Sequence, residues 1–541
     1  MCEAFLNPSV KDNSTTEGQR RKTQIRIAVL VWKSYLCGLF SAMLTVTHIV
    51  GILLTVGLLL VIGVMSGRKV KDARGFAIGG KAGSWMVCGI IMGTLVGGQS
   101  TIGTSQMAYC YGLSAWLFSA GVALGSLILG LVYTVPLRRS GCMTLAEIIA
   151  KEYGHKAETI GSLLCMTGMF ISIVSQVIAS TAMMTSMFEM EHTVAAVLSA
   201  ALIAAFVFFG GIRSAGLGGI LKLVLLYVAS LTAAVVVWRL SGSIGNVYDS
   251  LHEVMETPTI ADLNGLSTSE SIDHRYANPV GRGVAKDIGS AISLILGVLA
   301  TQTYAQGIWA ARSDRHARRG AVWSALLVPV IGAACTLIGL YMRGHYITHE
   351  EQAALLAAGE QVPEGVRVIA HTAEVFPRFI LDNCPAWIGG IVLGTLFVTI
   401  LGGGSGLTLG TATILVRDVF SNIPRRDGGH YGESKSLYRF SIVFLVGMAL
   451  LVSLLNNRTL INELGFLSLG LRATALLVPL SAALFMPGRF KRYEVIMSMV
   501  VGCVTMIAAS SLSLPGDAIF WGMGSELLIM AAASVYRKHS H

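Results

Sequence analysis

Two charged side chains sit inside long apolar runs, and their chemistry is the first thing to explain. Arg472 lies about twelve residues into LGFLSLGLRATALLVPLSAALF, too deep for easy snorkelling from either end. Lys222 lies in GLGGILKLVLLY, about two helical turns from one end of its run. A guanidinium at mid-bilayer costs at least ~2.5–3.5 kcal/mol on insertion scales. Arg472 is therefore expected to face a cavity or an anion, or to pair with Glu463 or backbone carbonyls. Lys222 is expected to snorkel or to serve a buried site.

Polar residues beside glycines form the second group. GTLVGGQSTIGTSQMAYCYG places Gln99, Ser100 and Thr101 after Gly97 and Gly98. SLILGVLATQTYAQGIWAA places Thr301, Gln302, Thr303, Tyr304 and Gln306 after Gly297. TILGGGSGLTLGTAT sets Ser405 and Thr408 among Gly402, Gly403, Gly404 and Gly406. Such glycines serve close helix packing, or they mark unwound backbone, which a bilayer tolerates only beside a cavity or inside protein. Two interrupted spans five apart are the pattern of an inverted-repeat transporter with its solute site at the breaks. Gln99, Ser100, Thr101, Thr301, Gln302 and Arg472 are the predicted substrate-binding residues. No HExxH, GxSxG, P-loop or kinase-type set occurs, so no catalytic residue is assigned. His345, His349 and His371 lack ligand spacing and are expected to face solvent.

The elements that position these residues follow from composition. Only 13% of the 541 residues are charged, 53% are hydrophobic, 61 are glycine, and the mean hydropathy is +0.67. A soluble chain carries roughly 25% charge. The nine cysteines are scattered without a CxxC pair, which argues against a zinc ribbon or a redox motif. The net charge of +10 is read as loop charge rather than as a nucleic-acid surface. Runs of ~20 apolar residues are the unit of a membrane span. About thirteen occur, from Val46–Ser66 to Ala518–Val535. The fold class is all-α, a polytopic membrane protein.

Every odd-numbered exit carries Lys or Arg, such as Arg138 and Arg139, or Arg312, Arg315, Arg318 and Arg319. Even-numbered exits are poor in them or acidic. By the positive-inside rule the first span starts outside and the C-terminus is cytoplasmic. Residues 1–42 are a polar and amphipathic extension. It is read as interfacial or upstream of a start at Met43, with an extra span as the competing reading. Residues 43–541 form the transporter: a leader helix and loop (43–83), a core (84–486) and two peripheral helices (487–541).

Several stretches together resemble the sodium:solute symporter family, over roughly residues 44–490: STIGTSQMAYCYG, PLRRSGCMTLAEIIAKEYG, FFGGIRSAG, AARSDRHARRGAV and GLTLGTATILVRDVF, the last running into Asp418. The resemblance implies a five-plus-five inverted repeat in spans two to eleven. It also implies alternating access, a cation-coupled solute and sodium as the possible bound ion. The family's backbone sodium ligands fall on Gly93 to Gly97, with Gly93 and Val96 as candidates. Its usual hydroxyl pair falls on Gly402 and Gly403, and its T-D-x-x-Q segment on Gly218, Gly219 and Lys222. Two readings follow. Lys222 stands in for the second-site sodium, with coupling to protons or none. Alternatively, sodium binds through backbone carbonyls and Ser405 or Thr408. Helix-end amides and Arg472 favour a small organic anion or zwitterion as substrate. The other partners are the lipid bilayer of the cell membrane and a coupling cation, sodium or proton. A transporter-like sensor is the reading from another class.

Overall fold

A computed structural model describes residues 44–67, 82–209, 212–266, 268–420, 435–455 and 459–539. The extension 1–42 and the basic loops 68–81 and 421–434 lie outside the described residues. The helices that build the body are α1 (Val46–Gly67), α2 (Ser84–Leu95), α3 (Thr104–Tyr111), α4 (Trp116–Ile128), α5 (Thr134–Arg139) and α6 (Leu145–Tyr153). They continue with α7 (His155–Phe188), α8 (His192–Phe209), α9 (Ile212–Ser241), α10 (Val284–Leu299), α11 (Gln302–Ala310) and α12 (Asp314–Arg343). The last five are α13 (Ala386–Ile414), α14 (Lys435–Leu455), α15 (Ile461–Phe485), α16 (Arg492–Ser511) and α17 (Ala518–His539).

Each apolar run expected to span falls on one of these helices or on an adjoining pair. Among the described residues, nine helical runs are long and apolar enough to cross a bilayer, and α10 with α11 forms a further span bent by 44°. The shorter apolar helices include Ser84–Leu95, the first half of the other broken span.

Both breaks sit where glycine and small polar residues interrupt the apolar run. α2 ends as Val96 turns extended (φ −91, ψ 97), and a π-turn over Gln99–Gly103 leads into α3. The freed amide of Gly98 donates to Gln176 Oε1 on α7 at 2.8 Å, so the orphan donor of a new helix start is satisfied inside the bilayer. In the second break Thr301 is extended (φ −98, ψ 119) before α11.

Close packing brings the two sets of helices together. α7 packs along α15, α10 against α4 and α15, and α2 against α9 and α12. A Cβ at Gly219 on α9 would lie 2.2 Å from the Gly89 carbonyl oxygen on α2, so no larger residue fits there. α16 and α17 pack on each other and on α15.

The face with the acidic loops carries short helices and a two-stranded parallel sheet, β1 (Tyr346–Thr348) on β2 (Arg367–Ile369), with Tyr346 opposite Arg367. Two of the three loop histidines, His349 and His371, are exposed as expected. His345 is half-buried, stacked on Tyr341 with centroids 4.2 Å apart. Beside it, Arg343 at the end of α12 is 1% exposed and pairs with Glu351 at 2.6 Å. Burial alone would raise the Glu351 carboxyl, but the Arg343 guanidinium and its hydrogen bonds prevail and hold it at about 2.

Candidate functional site

Arg472 reaches from α15 into the space between the two breaks and is 1% exposed. Its Nη1 donates to Thr301 Oγ1 at 3.1 Å, and its Nη2 to Ser468 Oγ at 2.6 Å and Ser172 Oγ at 2.5 Å. Gln99 Nε2 donates to Ser175 Oγ at 2.7 Å and Ser172 Oγ at 3.4 Å. Arg472 Nε has no partner. The candidate partner Glu463 is engaged elsewhere, with Arg282 at 2.7 Å and Lys286 at 3.3 Å. Among the described residues no carboxylate pairs with Arg472. The arrangement is a fixed positive charge ringed by hydroxyls, at the point where both broken spans expose backbone. Guanidinium N–H groups only donate, and hydroxyls donate or accept. Thr301, Ser175 and Ser468 already donate their hydroxyls to the carbonyls of Gly297, Ser172 and Gly168, so Arg472 Nε is the donor left without a partner, and an acceptor, best an anionic one, is what it could take.

The predicted residues divide here. Gln99, Thr301 and Arg472 meet in this cluster. Ser100 and Thr101 are fully within the break, but their hydroxyls turn back to the carbonyls of Leu95 (3.0 Å) and Gly97 (3.0 Å) and knit it together. Gln302 points away: its Oε1 accepts from Leu145 N at 2.9 Å and its Nε2 donates to Met143 O at 2.9 Å. One residue along a helix is about 100° of rotation, enough to carry Gln302 off the face that Thr301 begins. Ser172, Ser175 and Ser468 were not anticipated. Their only sequence signal is small polar residues at helical spacing on α7 and α15.

A second centre lies at the end of α2. Lys222, 5% exposed, does not snorkel. Its Nζ donates to the carbonyls of Val96 (2.6 Å), Gly93 (2.8 Å) and Thr399 (3.1 Å). Gly93 and Val96 thus present oxygens to a cation, and that cation is the ammonium. A C-terminal helix end leaves carbonyls without intrahelical partners and carries partial negative charge, which suits it. A Cβ on Gly402 would stand 3.8 Å from Nζ. Ser405 and Thr408 are not part of the cage: their hydroxyls donate to their own helix, to Gly402 O (3.0 Å) and Gly404 O (2.8 Å).

Residues 76–511 match the sodium:solute symporter family. The "Uncharacterized symporter YwcA" of Bacillus subtilis (strain 168) is 22% identical over 86% of this chain and 87% of its own length. "High affinity choline transporter 1" of Homo sapiens is 20% identical over 66% of this chain and 57% of its own. A solved structure of a Na+-coupled sialic acid symporter, substrate-bound and outward-open, superposes with a TM-score of 0.70 at 15% identity, covering 91% of this chain and 97% of that one. That likeness shows the fold, the inverted-repeat architecture expected from the paired breaks. With the family match spanning most of the chain, the protein belongs to the sodium:solute symporter family and is a multi-pass membrane transporter that couples a solute to a cation.

Proposed function

We propose that the solute is a small organic anion and that Arg472 holds its charged group, with Thr301, Gln99, Ser172 and Ser468 around it. The observation that carries this reading is the buried guanidinium without a carboxylate partner. The relatives' names point both ways, one to sialic acid and one to choline. Choline is a quaternary ammonium, and a fixed guanidinium at the breaks disfavours it. Uptake of a panel of labelled monocarboxylates, zwitterions and quaternary amines into proteoliposomes tests the reading. Anion uptake that is lost in Arg472→Gln supports it. Normal anion uptake by the folded variant, or uptake of quaternary amines alone, overturns it.

A second reading concerns the coupling cation, and the carbonyl cage around Lys222 favours it. The ammonium takes the oxygens that sodium would need, while the hydroxyl positions 402 and 403 are glycine. Sodium requires several oxygen ligands, by the logic that governs hard cations. In this reading the proton on Lys222 is the cation that serves the second site. A proton gradient in sodium-free buffer then drives uptake, and Lys222→Met abolishes that drive. Strict sodium dependence that Lys222→Met leaves unchanged refutes it. The charge bias of the loops supports a cytoplasmic position for the basic face, with residues 43–541 as the transporting unit.

A further inference from the structure

Two groups of helices meet towards the basic face, and Gln302 bonds across them. In the first group, Trp309 Nε1 on α11 donates to Leu137 O at 2.8 Å. Arg138 at the end of α5 donates to Ile308 O (3.1 Å) and Ala311 O (2.7 Å) and pairs with Asp314 at 2.6 Å. Ala82, just before α2, exchanges backbone bonds with Ala310 O (2.9 Å) and Arg312 N (3.0 Å). α2, α5, α11 and the start of α12 are thereby tied into one unit.

In the second group, Thr144 caps α6 by accepting from Glu147 N at 3.0 Å, and Glu147 Oε2 accepts in return from Met143 N at 2.6 Å. Thr144 Oγ1 (3.5 Å) and Ser162 Oγ (3.2 Å) both donate to Asp418, just beyond α13. α6 also packs on α7 and α15. The segment before α6 therefore belongs with α7, α13 and α15.

The carboxamide of Gln302, 2% exposed, crosses from the first unit to the second. It imitates a strand partner, accepting from Leu145 N and donating to Met143 O. Parting of these units would open a path from the breaks to the basic face, and both buried bonds would then break, along with the more exposed Lys151 Nζ to Ser140 O (2.6 Å) and Tyr133 Oη to Ser481 Oγ (2.7 Å). We propose that Gln302 is the latch of the basic-face gate, a positioning residue that sets how long this side stays shut, rather than a ligand of the solute. The inference goes beyond the anion reading and stands or falls without knowledge of the cargo.

The protein carries its own reporter. Cys142 is 4% exposed and immediately precedes Met143, so parting of the units uncovers its thiol. Purified protein in lipid nanodiscs is treated with N-ethylmaleimide, and labelling of Cys142 is followed by peptide mass spectrometry. Losing two ordinary hydrogen bonds in Gln302→Ala raises the labelling rate on the order of tenfold. Gln302→Glu gives the sharper readout. A carboxylate accepts from Leu145 N but cannot donate to Met143 O, whereas the protonated acid does both. Labelling in that variant is therefore fast at high pH and slows as pH falls, after correction for thiol reactivity with a small-molecule thiol. Equal Cys142 rates in wild type and both variants, or no pH dependence beyond that correction in Gln302→Glu, overturn the proposal.

Discussion

Arg343 and Arg472 are both fully buried guanidinium groups, and their surroundings differ in one respect. Arg343 meets the Glu351 carboxylate at 2.6 Å and also donates to Tyr109 Oη at 2.7 Å. Arg472 meets only hydroxyls and keeps Nε without a partner. The first is electrically closed by the protein itself. The second leaves its charge available at the crossing of two broken helices. A buried cation without a counterion is costly, and folding alone supplies no reason to keep one. A ligand that completes the charge, as proposed above, would supply one.

The largest expected effect tests the open arginine. Truncating one side of a desolvated charge pair costs about 2–5 kcal/mol, so Arg472→Gln reduces anion uptake at least about thirtyfold. Its thermal unfolding temperature stays close to wild type, because Ser172 and Ser468 bond each other and Thr301 bonds Gly297 O without it. Glu351→Gln does the reverse. It strands Arg343 and destabilises the acidic face by about 3–5 kcal/mol, seen as a lower unfolding temperature, while solute affinity is unchanged. An equal loss of stability in both variants would erase the distinction between the two sites.

A smaller effect separates the third buried cation, Lys222, from both arginines. Its partners are carbonyls, which only accept, so this cage holds a cation whatever its source. Lys222→Gln with Gly402→Ser removes the ammonium and adds one hydroxyl on a Cβ 3.8 Å from where the ammonium stood. The double variant is expected to gain sodium-stimulated uptake that Lys222→Gln alone lacks, measured as initial rates against sodium concentration. The last test is on pH. The Glu351 carboxyl sits at about 2 in the folded protein, below its ordinary 4.5. Its contribution is full above about 4.5 and is lost as pH falls towards 2. Wild type therefore loses this increment of thermal stability only on acidification below about 4.5, and Glu351→Gln shows no corresponding loss.

Much of this arrangement is legible in the sequence because lipid imposes simple rules. Apolar length marks the helices, and glycines beside polar residues mark both breaks. A charge inside an apolar run is conspicuous, so Arg472 and Lys222 stand out before any fold is known. Ser172, Ser175 and Ser468 do not. A serine in a membrane helix usually bonds a carbonyl of its own preceding turn, as Ser441 does with Leu437 O, and nothing local tells the two uses apart. Gln302 shows a different limit of the sequence. It adjoins Thr301 in sequence, but the helix that starts between them turns it towards the segment before α6.

The contact between Gly219 and Gly89 limits which side chains α9 can bring to this region. Position 219, on which the family resemblance would place an acid, is occupied here by a backbone-to-backbone contact, with 2.2 Å between a would-be Cβ and the Gly89 oxygen. Gly219→Asp would wedge α9 off α2 before its carboxylate could serve any ion. Position 402, where an added Cβ would meet only Lys222 Nζ at 3.8 Å, has the room that position 219 lacks.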